Sequence, residues 1–385
     1  MILTKLYKEF FNSEKSGGII LVLVTIISLI LANSSFSEEY TSIWGAKFAG
    51  YSLSHWINDG LMAIFFLLIG LELEREIYLG ELSSLKYAAF PFFAALGGMI
   101  VPAGIFTLFN YGTEFQSGTG IPTATDIAFA IGILALLGNK VPLSLKIFLT
   151  ALAVIDDLGA IIIIALFYSK SLSIINLSIA LGTFAVLIIL NRSKVYNIIP
   201  YIVGGIAMWY FMHHSGIHAT ITGVLLAFAI PFTNGGKKSP SYKMQHALHK
   251  PVAFVILPLF AMANTGIVIG SNWASGLTEP ISLGIILGLA IGKPLGILLF
   301  SLLGVVIGAC VIPIDLKWKN ILAVGFLGGI GFTMSIFITI LAFDNPAIID
   351  NSKIAILLGS LIAGIAGFTF LKLTLKKTVT DQEEE

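Results

Sequence analysis

The sequence predicts an all-α polytopic membrane protein of about twelve transmembrane helices, and three observations predict it. Hydrophobic residues make up 57% of the 385 positions and charged residues only 11%, against about 25% charged in soluble domains, and the mean hydropathy is +0.95. The apolar residues fall into stretches long enough to cross a bilayer, about 20 residues each. The basic residues gather in alternate loops, as cytoplasmic loops do. A net charge of +1 offers no field to attract nucleic acid. The single cysteine, Cys310, excludes a disulfide framework and reads as a small packed hydrophobe.

Twelve apolar stretches follow in order, near 17–33, 56–72, 88–110, 116–138, 143–168, 173–191, 197–212, 216–232, 251–270, 281–308, 320–342 and 354–375. Residues 1–15 read as a short amphipathic cytoplasmic segment, 376–385 as a charged tail, and the whole chain as one transmembrane domain. With both termini cytoplasmic, only Lys47, Lys170 and Lys353 of the 22 basic residues fall outside, and Lys293 sits inside a span. Between the first two spans, Phe48 to Leu53 can pair as a small outer hairpin. The polar, basic stretch Asn234 to Lys250 reads as a loop before the ninth span.

Four charges lie where charge is expensive. Asp126, Asp156, Asp157 and Lys293 sit inside apolar spans, at roughly 3 kcal/mol each on insertion scales. Such groups face a cavity or a partner and mark ion paths. Asp156 and Asp157 lie mid-span in ALAVIDDLGAIIIIALF, about 100° apart on a helix, so one can face a cation while the other faces a neighbouring helix. Close carboxylates also raise each other's proton affinity. Lys293 precedes Pro294 in IGKPLGI and seeks a carboxylate, for which Asp156 is a candidate; the alternative is a purely structural salt bridge. Asp126 follows Gly118, Gly120 and Pro122 and has Thr123 and Thr125 beside it. Gly325, Gly328, Gly329 and Gly331 interrupt the eleventh span in the same way before Thr333 and Ser335. Two interrupted spans, one per half, point to a transport site built from discontinuous helices.

Weaker features have plainer readings. Asp59 reads as a helix cap, and Glu72, Glu74, Arg75 and Glu76 as a solvated or paired helix end. His218 reads as a packing histidine, and His246 and His249 as exposed. His213-His214 has no carboxylate nearby in sequence and reads as a poor metal site.

The strings IPTATDIAFAIGILALLG, PLSLKIFLTALAVIDDLGAIIIIALFY, GIHAT, LPLFAMANTG, IGKPLGI and GGIGFTMSIF recur in order, and over nearly the whole chain the sequence resembles the NhaA-type sodium/proton antiporters of bacteria. The resemblance implies twelve helices with an inverted repeat, relating the third to fifth to the tenth to twelfth, and two discontinuous helices, the fourth and eleventh, that cross. It implies a multi-pass inner-membrane transporter, not an enzyme, with no cofactor, carrying Na⁺ or Li⁺ against H⁺ and forming a homodimer. Asp157 resembles the principal cation ligand, with Asp126 and Thr125 nearby and Asp156 a further candidate; Asp156 resembles the partner of Lys293. Asp126 and Lys293 would offset the helix N-termini and C-termini meeting at the crossing. Two departures stand out. Gln245 occupies a position where pH-activated members carry a glutamate, which leaves His246, His249 and Glu72 as candidates for a pH response. The outer loop differs from that of the best-known members, which bears on a hairpin-mediated dimer.

The mechanism expected is competition between a hard cation, which wants oxygen ligands, and protons for the same carboxylates. Two rivals are disfavoured by the sequence, and a third stays open. An intramembrane aspartyl protease needs a Gly-x-Gly-Asp string, which is absent. A passive channel predicts a polar stripe or a repeated filter. A cation-coupled symporter differs only in flux coupling.

Overall fold

A computed structural model describes residues 14–168, 172–270, 273–313 and 315–375. The amphipathic segment, up to residue 13, and the charged tail lie outside these residues. The described chain is helical apart from one two-stranded hairpin. In order the helices are α1 (Glu14–Ala32), α2 (Ser37–Gly45), α3 (Leu53–Tyr78), α4 (Leu85–Asn110), the 3-10 segment Glu114–Thr123 with α5 (Ile127–Leu136), α6 (Leu143–Phe167), α7 (Ile174–Arg192), α8 (Ile199–His213), α9 (Ile221–Ala229), α10 (Pro240–Thr265), α11 (Pro280–Val306), α12 (Trp318–Gly328), α13 (Phe332–Ala342) and α14 (Pro346–Thr374). Among the described residues, seven helices are long and apolar enough to cross a membrane, or up to ten if each of three bent pairs counts as one span. The two expected spans that fall short are the seventh and eighth, α8 and α9, at 15 and 9 residues.

Two boundaries differ from the sequence reading. The ninth span begins at Pro240, inside the stretch expected to be a loop. Proline at the first helical position is preorganised for a helix start, and Ser239 Oγ ties the entry by donating to Phe232 O at 2.7 Å. Pro251 is accommodated by the π-helical turn Val252–Ile256 that follows it. The last span begins at Pro346, so Lys353 lies within α14, paired with Asp350 at 3.8 Å, rather than in an outer loop. The expected hairpin forms: β1 (Lys47–Phe48) pairs antiparallel with β2 (Tyr51–Ser52). Ala49 and Gly50 both take positive φ, as the tight turn of a right-twisted hairpin requires.

The described residues divide into two compact units. One gathers Met1–Leu23, Ser84–Gly159 and Ile269–Glu385, the other Val24–Ser83 and Ala160–Val268. In the first, α4 and α11 meet at Gly97 and Gly296, where a Cβ on either would clash with the carbonyl of the other. Small residues allow this backbone approach, as membrane helix pairs require. Cys310 packs buried near Gly304 and Phe93, in keeping with its sequence reading. In the second unit, Leu67, Leu71, Leu187, Tyr201, Met208 and Ala227 form a buried core joining α3, α7, α8 and α9. Meanwhile α7 exposes Ile174, Ile175, Val186 and Ile189. An exterior this apolar over a whole helix is what lipid as solvent allows.

Candidate functional site

The first unit holds all four intramembrane charges. Asp126, Asp156, Asp157 and Lys293 are at most 2% exposed. Their positions follow from two breaks in helical geometry. The fourth stretch bends by 40° between Glu114–Thr123 and α5, and the eleventh bends by 48° between α12 and α13. Ala124 and Asp126 are extended, so helical bonding is interrupted and backbone groups are exposed in the interior. The two breaks satisfy each other. Asp126 N–H donates to Ile330 O at 2.6 Å, Thr125 Oγ1 reaches Gly328 O at 2.8 Å, and Ser335 Oγ donates to Ile121 O at 2.7 Å.

Asp126 serves two helix N-termini at once. One carboxylate oxygen accepts from Phe129 N–H of α5 at 3.0 Å, and the other accepts from Thr333 N–H of α13 at 3.1 Å and from the Thr333 hydroxyl. A carboxylate is favoured there because unpaired N–H groups and the helix dipole both present positive charge. Lys293 meets the opposite ends. Its ammonium donates to the carbonyl of Thr123, at the end of the 3-10 segment, and pairs with Asp156 Oδ2 at 2.7 Å, both side chains fully buried. Thr125 Oγ1 lies 2.7 Å from the same Asp156 oxygen. One hydroxyl carries one proton, so Thr125 donates to Asp156 or to Gly328 O, and its lone pairs stay available as an acceptor or ligand.

Asp156 Oδ1 is buried and has no hydrogen-bond partner among the described residues. An unmatched buried carboxylate oxygen costs about 1–3 kcal/mol or more, so the site holds free ligand capacity. Asp157 is buried one residue further along α6, on a face about 100° away. The structure therefore brings Asp156, Lys293 and Thr125 into one hydrogen-bonded group. Asp126 is the next residue after Thr125 in the chain, and its side-chain bonds go to α5 and α13 instead. Sequence reading named these side chains and did not identify two partners. The carbonyls of Thr123 and Gly328 carry no sequence signal, and neither does Ser360, whose Oγ accepts from Phe332 N–H at 3.1 Å.

The other candidates cluster in the second unit. Gln245 hydrogen-bonds Glu72. Glu74, read as a solvated or paired helix end, is buried and accepts from Ser241 Oγ at 3.1 Å. Arg75 lies over the Tyr242 ring at 5.3 Å. His246 is exposed and stacks on Tyr242 at 3.9 Å, and His249 is exposed. His218 Nε2 donates to Tyr168 O at 2.9 Å, a satisfied packing contact. Asp59 does not cap a helix through its side chain. It lies 3.3 Å from His55 Nε2 and 3.8 Å from His213 Nδ1. The expectation that His213 lacks a carboxylate therefore fails, because Asp59 arrives from a distant part of the chain.

The chain matches the model of one protein family, described as Na⁺/H⁺ antiporter 1, over residues 8–371. It is 65% identical over 383 residues to a Na⁺/H⁺ antiporter NhaA of Flavobacterium psychrophilum, covering 100% of both chains. It is 60% identical over 385 residues to a Na⁺/H⁺ antiporter NhaA of Cytophaga hutchinsonii, again 100% of both. A Na⁺/H⁺ antiporter NhaA of Vibrio vulnificus is 50% identical over 381 residues, 98% of each chain.

Proposed function

The chain belongs to the Na⁺/H⁺ antiporter 1 family, and from that premise we propose that it exchanges cytoplasmic Na⁺ or Li⁺ for external H⁺ at the buried carboxylates of its first unit. It is a multi-pass bacterial membrane protein and a transporter, not an enzyme, and its family needs no cofactor. Asp157 is the principal cation ligand, joined by Asp126, by Thr125 through its hydroxyl, and by the free Oδ1 of Asp156. The observation that carries this reading is the fully buried Asp156–Lys293 pair beside a second buried carboxylate and two helix breaks.

The physical argument is one of cost. Buried ion pairs rarely stabilise a fold relative to apolar packing, and two aspartates and a lysine in an apolar helix pair are expensive. Such a group is kept where charge must be exchanged. A hard cation binds oxygens that have lost their protons, and protonation releases it. Lys293 neutralises Asp156 and the carbonyl end at Thr123, while Asp126 neutralises two N-termini, so the breaks stand without lipid-exposed charge.

The remaining parts of the proposal follow the same family logic. Twelve spans include α8 and α9, with an inverted repeat and crossing discontinuous helices. Both termini are cytoplasmic, by the distribution of basic residues. More protons than cations move per cycle, so the exchange is electrogenic and draws roughly 2.3 kcal/mol per charge per 100 mV. The chain works as a homodimer, it serves sodium and pH homeostasis, and its pH response involves Glu72, Gln245, His246 and His249. A dye-based proton-flux assay in everted vesicles, with Na⁺, Li⁺ and K⁺ added in turn, tests the exchange. Na⁺- or Li⁺-driven alkalinisation or its absence decides the matter.

A further inference from the structure

In the second unit, three side chains from two distant stretches of the sequence converge outside the group described above. His55 and Asp59 sit four residues apart at the start of α3, where the chain runs as a π-helix over Trp56–Leu61. His213 is the last residue of α8. One donor atom from each of His55, Asp59 and His213 lies within 4.8 Å of the others. The side chains are 29%, 18% and 21% exposed, so none of the three is sealed in the protein interior.

From this geometry we propose that His55, Asp59 and His213 form a binding site for a divalent transition-metal cation of the zinc class, with one further coordination position open to water. Two imidazoles and one carboxylate are the donor set that zinc takes at sites with an open fourth position. Imidazole donors select zinc, copper and nickel over the hard cations that the buried carboxylates suit. Around a tetrahedral ion with bonds near 2.1 Å, donors are about 3.4 Å apart. The His55–Asp59 distance of 3.3 Å already matches, and the His213–Asp59 distance of 3.8 Å needs only a small inward turn of one ring. His55 Nε2 is a buried atom that makes no well-formed hydrogen bond, although it faces the Asp59 oxygen. That is the lone pair a metal would use.

The rings are held by their surroundings. Tyr51 of the hairpin stacks on His55 at 4.5 Å, and Trp209 stacks on His213 at 5.8 Å. Trp209 Nε1 donates to the Asp59 carbonyl at 3.2 Å, fixing α8 against the start of α3. π-helical turns recur at functional sites, and this one turns His55 and Asp59 to the same side. His214 is occupied elsewhere, its Nδ1 lying 2.8 Å from Tyr210 O. A bound metal would join the hairpin end of α3 to the end of α8. The rival reading is a histidine–aspartate ion pair with no metal.

The test uses the tag-free, full-length protein in detergent, dialysed against chelator and titrated with Zn²⁺ by calorimetry and with Co²⁺ by visible absorption. One saturable Zn²⁺ site per chain and the strong d–d bands of four-coordinate Co²⁺ are expected. His55→Gln, Asp59→Asn and His213→Gln should each weaken Zn²⁺ binding by more than the about 10–100-fold seen for outer partners of metal sites. Each variant should keep its Na⁺/H⁺ exchange in vesicles, which shows that it folds. Absence of a saturable Zn²⁺ site in the wild type, equal binding by His213→Gln, or only the weak spectrum of octahedral Co²⁺ would overturn the site and leave the ion pair.

Discussion

At the scale of single residues, the site is a set of charges that each do two things. Asp156 takes Lys293 and Thr125 on one oxygen and leaves the other open. Lys293 takes Asp156 and a helix-end carbonyl. Removing one member strands the other, and breaking a buried pair costs about 3–5 kcal/mol. Lys293→Met should therefore lower thermal stability strongly, and the double variant Lys293→Met with Asp156→Leu should recover much of the loss. Thermal melts in detergent check both. Asp157→Asn keeps the shape and removes the charge, so folding should persist while exchange in everted vesicles falls to background. Retained exchange would remove Asp157 from the cation site. Gln245→Glu would set a second carboxylate against Glu72, at a site where Glu72 now accepts a neutral amide. The activity–pH profile should move or sharpen, and an unchanged profile would clear that contact of any role in sensing.

At the scale of elements, the two broken stretches support each other through Asp126. A capping carboxylate contributes about 0.5–2 kcal/mol at one helix start, and here it serves two. Asp126→Ala should destabilise the protein by more than a single cap, with Thr333→Val losing only part of that. Differential scanning of the three proteins separates these outcomes. Much of this level was readable in the sequence. A charge in an apolar run is conspicuous, so Asp126, Asp156, Asp157 and Lys293 could be picked out directly, and glycines and prolines marked the breaks. What was not readable has a common cause. Backbone carbonyls have no letter of their own, so the roles of Thr123 and Gly328 were invisible. The start of α10 looked like a loop because its first turns are polar, although Pro240 is a good first helical residue. Asp59 and His213 lie far apart in sequence, so local reading gave the aspartate a capping role and the histidine no carboxylate.

At the scale of the whole molecule, lipid explains the composition and the glycines. Apolar residues cannot distinguish inside from outside in a membrane, so small residues set the packing. Gly296→Val should force α4 and α11 apart at Gly97, with overpacking costing about 1–3 kcal/mol or more; reduced yield of monodisperse protein is the expected readout. The function proposed above rests on Na⁺ and H⁺ taking turns on one set of oxygens. The measurement that bears on it most directly is Na⁺ binding to the purified protein across pH, by calorimetry in a low-sodium buffer. Where the site titrates, the apparent Na⁺ affinity should fall about tenfold for each pH unit of acidification per proton displaced, with protons released on binding and no binding by Asp157→Asn. Na⁺ affinity that stays the same across that range, with no proton release, would contradict the account.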